Sequence, residues 1–427
     1  MTPRKARVYG TFLFDPACLG SCPNIWFNKG SRQMKKLLLA TAATALLAGA
    51  AQAEDVKIGI LLGFTGPLES LSPDMAAGAN LAISEVNESG NFMDGAKISS
   101  VNGDTGCIDA SLAVASAERL ITSDKVSGIV GGMCSGETTA ALQNAAIPNG
   151  MVMISPSATS PALSTIEDDG LFFRTSPSDA RQGQVMADIL NDRGIKEVAV
   201  TYTNNDYGKG LADSFQAAFE KSGGKVTLNA AHEDGKADYS AEVGALASAG
   251  GEVLVVAGYV DQGGAGIINA ALDSGAFDTF MFPDGMISET LEKNFGSKVE
   301  GSFGQHPSAA GDGPEKFKEM GKAAGFEPTN AFSPESYDAA SLILLAMQAA
   351  GSTDPNVYKT KIMDVANAPG EKILPGDLGK ALQILKDGGD VDYVGASSVE
   401  LIGPGESAGS YREIEFKDGK MDTVGYR

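Results

Sequence analysis

From residue 56 onward the apolar positions fall into two alternating kinds of run. Short unbroken apolar stretches bounded by glycine or proline read as strands buried on both faces. Longer stretches with apolar residues three and four apart read as helices with one buried face. VKIGILLG (56–63) is the first strand. A loop over 64–73 follows, and Asp74 stands where it would cap a helix whose Met75, Ala79, Ala82 and Val86 share a face. Residues 96–102 read as a strand, and Asp109 opens a helix with Ala113, Ala117 and Leu120 inward. Val126, Ile129 and Val130 make a short strand ending at Gly131 and Gly132. Residues 140–146 then carry a helical pattern, 151–154 another strand, and 172–175 a short extended piece broken by Pro177.

The pattern then restarts. Strands are expected at 197–202, 225–231, 252–259 and 279–282. Between them lie helices marked by Leu211, Phe215 and Phe219, by Tyr239, Val243 and Leu246, and by residues 267–272. A short helix over 289–295 and a return strand at 301–304 complete this unit. Helices at 315–324, 336–350, 355–366 and 377–387 follow, and strands at 398–402, 411–416 and 421–426 close the chain. Such alternation predicts two successive open α/β units, each a mostly parallel sheet flanked by helices. Ligands in such sheets sit beyond the carboxyl ends of the strands. Two hydroxyl-rich turns, at Ser135 and at 157–160, fall at such ends, where free N–H groups favour an anion such as a carboxylate. Simple helix capping explains the same residues equally well.

Composition changes the picture at the amino end. Met34, Lys35 and Lys36 precede an apolar run (37–51) and a small-residue cleavage site at 51–53, the pattern of a secretory signal peptide. Residues 1–33, upstream of it, read as an over-extension from an earlier start codon. Residues 1–53 carry seven basic side chains and one acidic one, leaving 26 basic against 53 acidic in residues 54–427, a net of −27. A surface of that charge repels nucleic acid and anionic membranes and favours a soluble monomer. Beyond residue 53 only Cys107 and Cys134 remain, and in an exported chain they are expected to pair, closing a loop that contributes roughly 3.5 kcal/mol. The alternative is two free buried thiols.

Motif chemistry is sparse. No phosphate-binding glycine loop follows a strand, no G-x-S-x-G elbow occurs, and the two histidines, His232 and His306, lack metal-ligand spacing and read as surface residues. No catalytic residue, metal or cofactor is expected. The acidic residues read mostly as solvated faces.

The stretches GFTGPLESLSPDM, MCSGETT, ISPSATSPALS, FFRTSPSD, NNDYGKGLADSF, VAGYVDQGG and FPDGM, with the cysteine pair, resemble the type I periplasmic binding proteins that serve ABC importers of branched-chain and other hydrophobic amino acids. The likeness spans residues 54–427. It implies two α/β lobes joined by three crossovers, with 54–176 and 305–398 in lobe 1 and 177–304 and 399–427 in lobe 2. It also implies a ligand site between them. Ser135 and Thr159 would receive an α-carboxylate, with Ala158 also at the ligand and the Ser157 carbonyl accepting from the α-ammonium. Tyr259 would reach the carboxylate, Asp284 would pair with the ammonium, and Tyr207 and Leu71 would flank the side chain. Leu71 replaces an aromatic often found in the first loop, and Asp284 replaces a glutamate.

The expected function is a periplasmic, non-enzymatic receptor that delivers a small α-amino acid to the membrane permease of an ABC importer. The same fold binding an amide, a short peptide or an organic acid is the alternative, as is a sensor subunit for a membrane receptor.

Overall fold

The computed structural model describes residues 55–427; the over-extension expected at 1–33 and the signal peptide expected at 34–53 lie outside the described residues. The first part of the chain lays down β1 (Val56–Leu62), α1 (Ser72–Ser89), β2 (Ile98–Asp104), α2 (Ala110–Arg119), β3 (Gly128–Gly131), α3 (Ser135–Ala141), β4 (Met153–Ser155) and β5 (Phe172–Arg174). A second run repeats the plan with α4 (Asp179–Asp192), β6 (Glu197–Thr203), α5 (Asp206–Lys221), β7 (Lys225–His232), α6 (Ser240–Ala249), β8 (Val253–Ala257), α7 (Gly263–Ser274), β9 (Phe280–Phe282), α8 (Glu289–Phe295) and β10 (Phe303–Pro307). The chain then returns through α9 (Asp312–Ala324), α10 (Ser333–Ala350), α11 (Pro355–Tyr358), α12 (Ile362–Ala366), β11 (Glu371–Ile373), α13 (Leu378–Lys386), β12 (Val391–Tyr393), β13 (Leu401–Ile402) and β14 (Glu406–Ser407). It ends on β15 (Tyr411–Lys417) and β16 (Lys420–Tyr426).

Among the described residues two seven-stranded sheets form, ordered β13-β14-β5-β4-β3-β1-β2 and β16-β15-β10-β9-β8-β6-β7. The first five strands of each, in chain order, follow one topology. The chain starts centrally, steps to the edge, then crosses to the other side of its first strand. That reversal, between β1 and β3 and between β6 and β8, opens a crevice at the carboxyl ends of the strands. β1 is buried along its length except at Lys57, as a central parallel strand must be, and pairs with β2 and β3 from Val56↔Ile98 and Ile58↔Gly128. Gly131 ends β3 at φ 140°, where a Cβ would fall 2.2 Å from the Leu61 carbonyl, so only glycine fits.

Several sequence expectations need correcting. β10 lies beside β9 in the second sheet, and β13 and β14 extend the first, so the chain changes lobe after Pro307 and after Ser407 rather than at 305 and 399. Strands of two residues, like the three-residue β11 and β12, carry no periodicity to read. Asp74 is not the cap of α1, which begins at Ser72. Its carboxylate instead accepts from Asn330 Nδ2 (2.5 Å) and the Glu327 N–H (3.2 Å), tying α1 to the loop before α10. The stretch 355–366 is two short helices joined by a 3-10 turn rather than one.

His232 and His306 are buried, not surface residues. Burial lowers His232 to about 4, so it is a neutral ring, with Nδ1 2.8 Å from Thr201 Oγ1. Among the described residues no group of His, Cys, Asp and Glu is placed to hold a metal, and no helix is long and apolar enough to cross a membrane.

Nor are the acidic residues all solvated. Asp338, on the buried α10, accepts from Tyr393 Oη, Ser397 Oγ and the Ala396 and Ser397 N–H groups, all within 2.7 Å, and so holds the chain after β12 against the helix. Arg174, at the end of β5, is fully buried and donates to Glu406 on β14, at 2.5 Å from Nη2. Its other donors take the Ala158 and Ser160 carbonyls and Ser164 Oγ. Removing one partner of a buried ion pair leaves an uncompensated charge. Glu406→Ala is therefore expected to lower unfolding free energy by about 3 kcal/mol, read from urea denaturation of residues 54–427.

Candidate functional site

The crevice between the two sheets closes on a cavity of about 10 Å³ lined from both lobes. That is room for one water molecule. Leu68, Met133, Cys134, Ser135, Ser157 and Phe332 face it from the first lobe, and Tyr207, Tyr259, Asp284 and Gly285 from the second.

On the first lobe the lining rests on a network of turns. After Gly132 the chain reaches the start of α3, where the Glu137 side chain turns back and its Oε1 accepts from the Met133 (2.8 Å) and Cys134 (2.9 Å) N–H groups. Cys134 is disulfide-bonded to Cys107, which pins this turn to the loop after β2. Ser135 Oγ accepts from the Ser160 N–H (3.0 Å), and Ser157 Oγ donates to the Met133 carbonyl (2.8 Å), so the two hydroxyl-rich turns are tied to each other. Ser155 Oγ donates to the Gly132 carbonyl and accepts from the Ala158 N–H. Thr159 is buried, and its carbonyl accepts from the Asp179 N–H (2.8 Å).

The second lobe supplies a carboxyl and two aromatic rings. Tyr207 and Tyr259 stack with centroids 5.2 Å apart and planes 12° from parallel. Tyr207 Oη donates to Asp284 Oδ1 at 2.6 Å, and the Gly285 N–H donates to the same oxygen at 2.8 Å. A Cβ at Gly285 would lie 2.6 Å from the Gly258 carbonyl and 2.9 Å from Tyr207 Oη, so glycine is what lets the ring reach the carboxylate. Burial raises the Asp284 carboxyl above its ordinary range, against the favourable hydrogen bonds of Tyr207 and Gly285 and the nearby Gln182 amide.

Of the residues expected from sequence, Ser135, Ser157, Tyr207, Tyr259 and Asp284 face the one cavity, and Cys107 and Cys134 are joined. Ala158 and Thr159, next in the chain after Ser157, are buried and do not line it. Leu71 does not line it. That residue precedes α1 with its side chain buried in the first lobe, and Leu68, three residues earlier in the same loop, takes the lining position. Phe332 was not anticipated. It stands in a left-handed conformation (φ 66°) at the start of α10, a backbone setting that the sequence does not signal.

Two buried acids were also missed. Glu137, in MCSGETT, is pushed up to about 8, chiefly by burial. Asp179, in RTSPSD, is buried with its backbone N–H on the Thr159 carbonyl (2.8 Å) and the Thr159 hydroxyl beside its carboxyl. Burial first, and then the Asp284 charge, hold its carboxyl well above the ordinary range.

The lobes also meet outside the cavity. The Ser70 N–H donates to Asp261 Oδ2 (2.8 Å) and the Asp261 N–H to the Pro67 carbonyl (3.2 Å), joining the first-lobe loop to the start of the second lobe's 261–262 turn.

Comparison with known proteins fits this architecture. The family model described as periplasmic binding protein matches residues 55–368. Leu/Ile/Val-binding protein homolog 1 of Brucella melitensis is 34% identical over 363 residues, covering 80% of this chain and 95% of that one. A leucine-binding protein of Thermotoga maritima shares the fold with a TM-score of 0.73 at 24% identity, over 87% of this chain and 98% of the other. A solute-binding protein of an ABC transporter from Rhodopseudomonas palustris, in complex with p-hydroxybenzoic acid, shares it with a TM-score of 0.71 at 18% identity, over 87% and 97%. With two lobes of this topology and matches of this extent, the chain belongs to the periplasmic binding protein family.

Proposed function

We propose that the protein is the periplasmic receptor of an ABC importer. In this reading it binds a small aliphatic α-amino acid between its lobes and delivers it to a membrane permease without chemical change. The observation that supports this most is the pairing of opposites across one cavity. Ser135 and Ser157 of the first lobe and Asp284 of the second line it together with Leu68, Phe332 and Tyr207. A zwitterion needs both kinds of partner, because burying either charge alone costs several kcal/mol. In this scheme Ser135 and Thr159 receive the α-carboxylate with Tyr259, Asp284 and the Ser157 carbonyl receive the ammonium, and the apolar residues receive the side chain.

A one-water cavity admits no amino acid, so binding requires the lobes to part and reclose about the three crossovers. Contacts to both lobes then favour the closed state. The relatives named for leucine, isoleucine and valine support the aliphatic class.

An aromatic acid is the second reading. The stacked tyrosines and the hydroxybenzoate-bound relative favour it, but such a ligand offers no cation to Asp284. Thermal-shift screening of residues 54–427 against L-amino acids and benzoates separates the two. A ligand at one hundred times its dissociation constant adds about 2.7 kcal/mol. Stabilisation by leucine, isoleucine or valine is expected, and stabilisation by benzoates alone would replace the amino acid with an acid.

Asp284→Ala is expected to abolish amino-acid binding in calorimetry, with the fold retained by circular dichroism. Unchanged affinity would remove Asp284 from the site.

Glu137 gives a pH prediction. Burial raises its carboxyl from the ordinary 4.5 to about 8 in the folded state, so its contribution to stability is complete below 4.5 and is lost as pH rises toward about 8. Glu137→Gln is expected to flatten the fall in unfolding temperature over that window. An identical slope in both proteins would show that the carboxyl is already charged when folded.

A further inference from the structure

Two contacts between the lobes lie outside the cavity, and each is anchored to the turns that line it. The first joins Asp261, which follows β8, to the loop after β1. The Asp261 carboxylate accepts from the Ser70 N–H (2.8 Å), and its own N–H donates to the Pro67 carbonyl (3.2 Å). The loop carrying Pro67 and Ser70 is braced within its own lobe. Thr65 gives its N–H and its hydroxyl to the Asp104 carboxylate (3.2 and 2.7 Å), and a Cβ on Gly66 would lie 2.4 Å from the Gly106 carbonyl. Leu68, between Pro67 and Ser70, faces the cavity. In the second lobe Tyr259, just before Asp261, faces it too, and the Val260 N–H holds the Gly285 carbonyl (3.1 Å). Cavity lining and latch are therefore parts of the same two braced turns.

The second contact is steric. Gly210 lies within α5, where glycine is disfavoured relative to alanine. The reason stands across the cleft. A Cβ at Gly210 would fall 2.8 Å from Pro161 Cδ and 3.3 Å from Ser160 Oγ, in the turn after β4. That turn is braced as well, because Arg174 grips the Ser160 carbonyl (2.9 Å) and Ser135 Oγ holds the Ser160 N–H (3.0 Å). β3 separates β1 from β4 in the first sheet, so the two contacts meet the second lobe at separate places. Neither Asp261 nor Gly210 lines the cavity. Resting on the receptor reading above, we propose that both are positioning residues for closure: the Asp261 carboxylate holds the closed lobes together, and the bare Gly210 backbone lets them meet. Affinity is then set partly outside the ligand cavity, because each contact biases the closed state that binding selects.

The test is L-leucine binding to residues 54–427 in the wild type, Asp261→Ala, Asp261→Asn and Gly210→Ala. Calorimetry gives the affinity, and donor and acceptor dyes, one on each lobe, give the rates of closing and release. Asp261→Ala is expected to bind about tenfold more weakly through faster dissociation, with association unchanged. Asp261→Asn keeps an acceptor oxygen for the Ser70 N–H and is expected to restore most of that loss. Gly210→Ala is expected to lose about tenfold as well, through the clash with Pro161. Its unliganded unfolding temperature should nevertheless hold or rise, since alanine favours α5; a merely structural glycine would do the reverse.

Unchanged leucine affinity in either alanine variant overturns the proposal, as does a loss that tracks a fall in unliganded unfolding temperature. Absence of leucine binding by the wild type defeats the receptor reading instead. The closed fraction of the unliganded chains, counted by single-molecule energy transfer between the same dyes, then decides. A lower fraction in both alanine variants is expected, and equal fractions overturn the inference.

Discussion

The buried guanidinium of Arg174 is the interaction on which the first lobe and its side of the cavity depend. It ends β5 and is fixed by backbone pairing to Gly405 and to Glu406 at the start of β14, more than two hundred residues later. It therefore closes the first sheet around the chain's return. The same guanidinium holds the Ala158 and Ser160 carbonyls, so the turn carrying Ser157 and Thr159 takes its shape from the charge. An arginine suits this place because its five donors lie in a fixed fork and its charge cannot be titrated away.

The cavity is assembled from the carboxyl ends of strands in two sheets that share one topology. β3 and β4 deliver the hydroxyl turns, β8 and β9 deliver Tyr259 and Asp284, and α5 and α10 deliver Tyr207 and Phe332. Both lobes contribute polar groups to the cavity, Ser135 and Ser157 from the first and Tyr259 and Asp284 from the second. A zwitterion bridging the two would satisfy each lobe only when they meet. That links recognition to closure in the proposed receptor.

Much of this was legible in the sequence because the physics is local. Continuous apolar runs such as 56–63 and 253–257 mark strands buried on both faces. Helical spacing at Leu211, Phe215 and Phe219 marks one buried face, and Gly131 and Pro177 mark turns. Two successive α/β units follow from that order. The turns at Ser135 and 157–160 were visible because they stand at strand ends, and the side chains of Tyr259 and Asp284 because they follow apolar runs. The family resemblance supplied their roles.

What only the tertiary structure decided concerns groups whose meaning depends on neighbours distant in the chain. Leu68 rather than Leu71 reaches the cavity because α1 begins at Ser72 and turns Leu71 inward. Phe332 arrives through one left-handed residue that Asp74 helps to fix from two hundred and fifty residues away. β13 and β14 are too short to show a period, so pairing with β5 alone assigns them to the first lobe. Glu137, Asp179 and Asp338 look in the sequence like any solvated acid. Burial converts them into a helix-start clip, a buried carboxyl beside Thr159 and a loop anchor, because the cost of desolvating a charge is set by the surrounding fold and not by the residue itself.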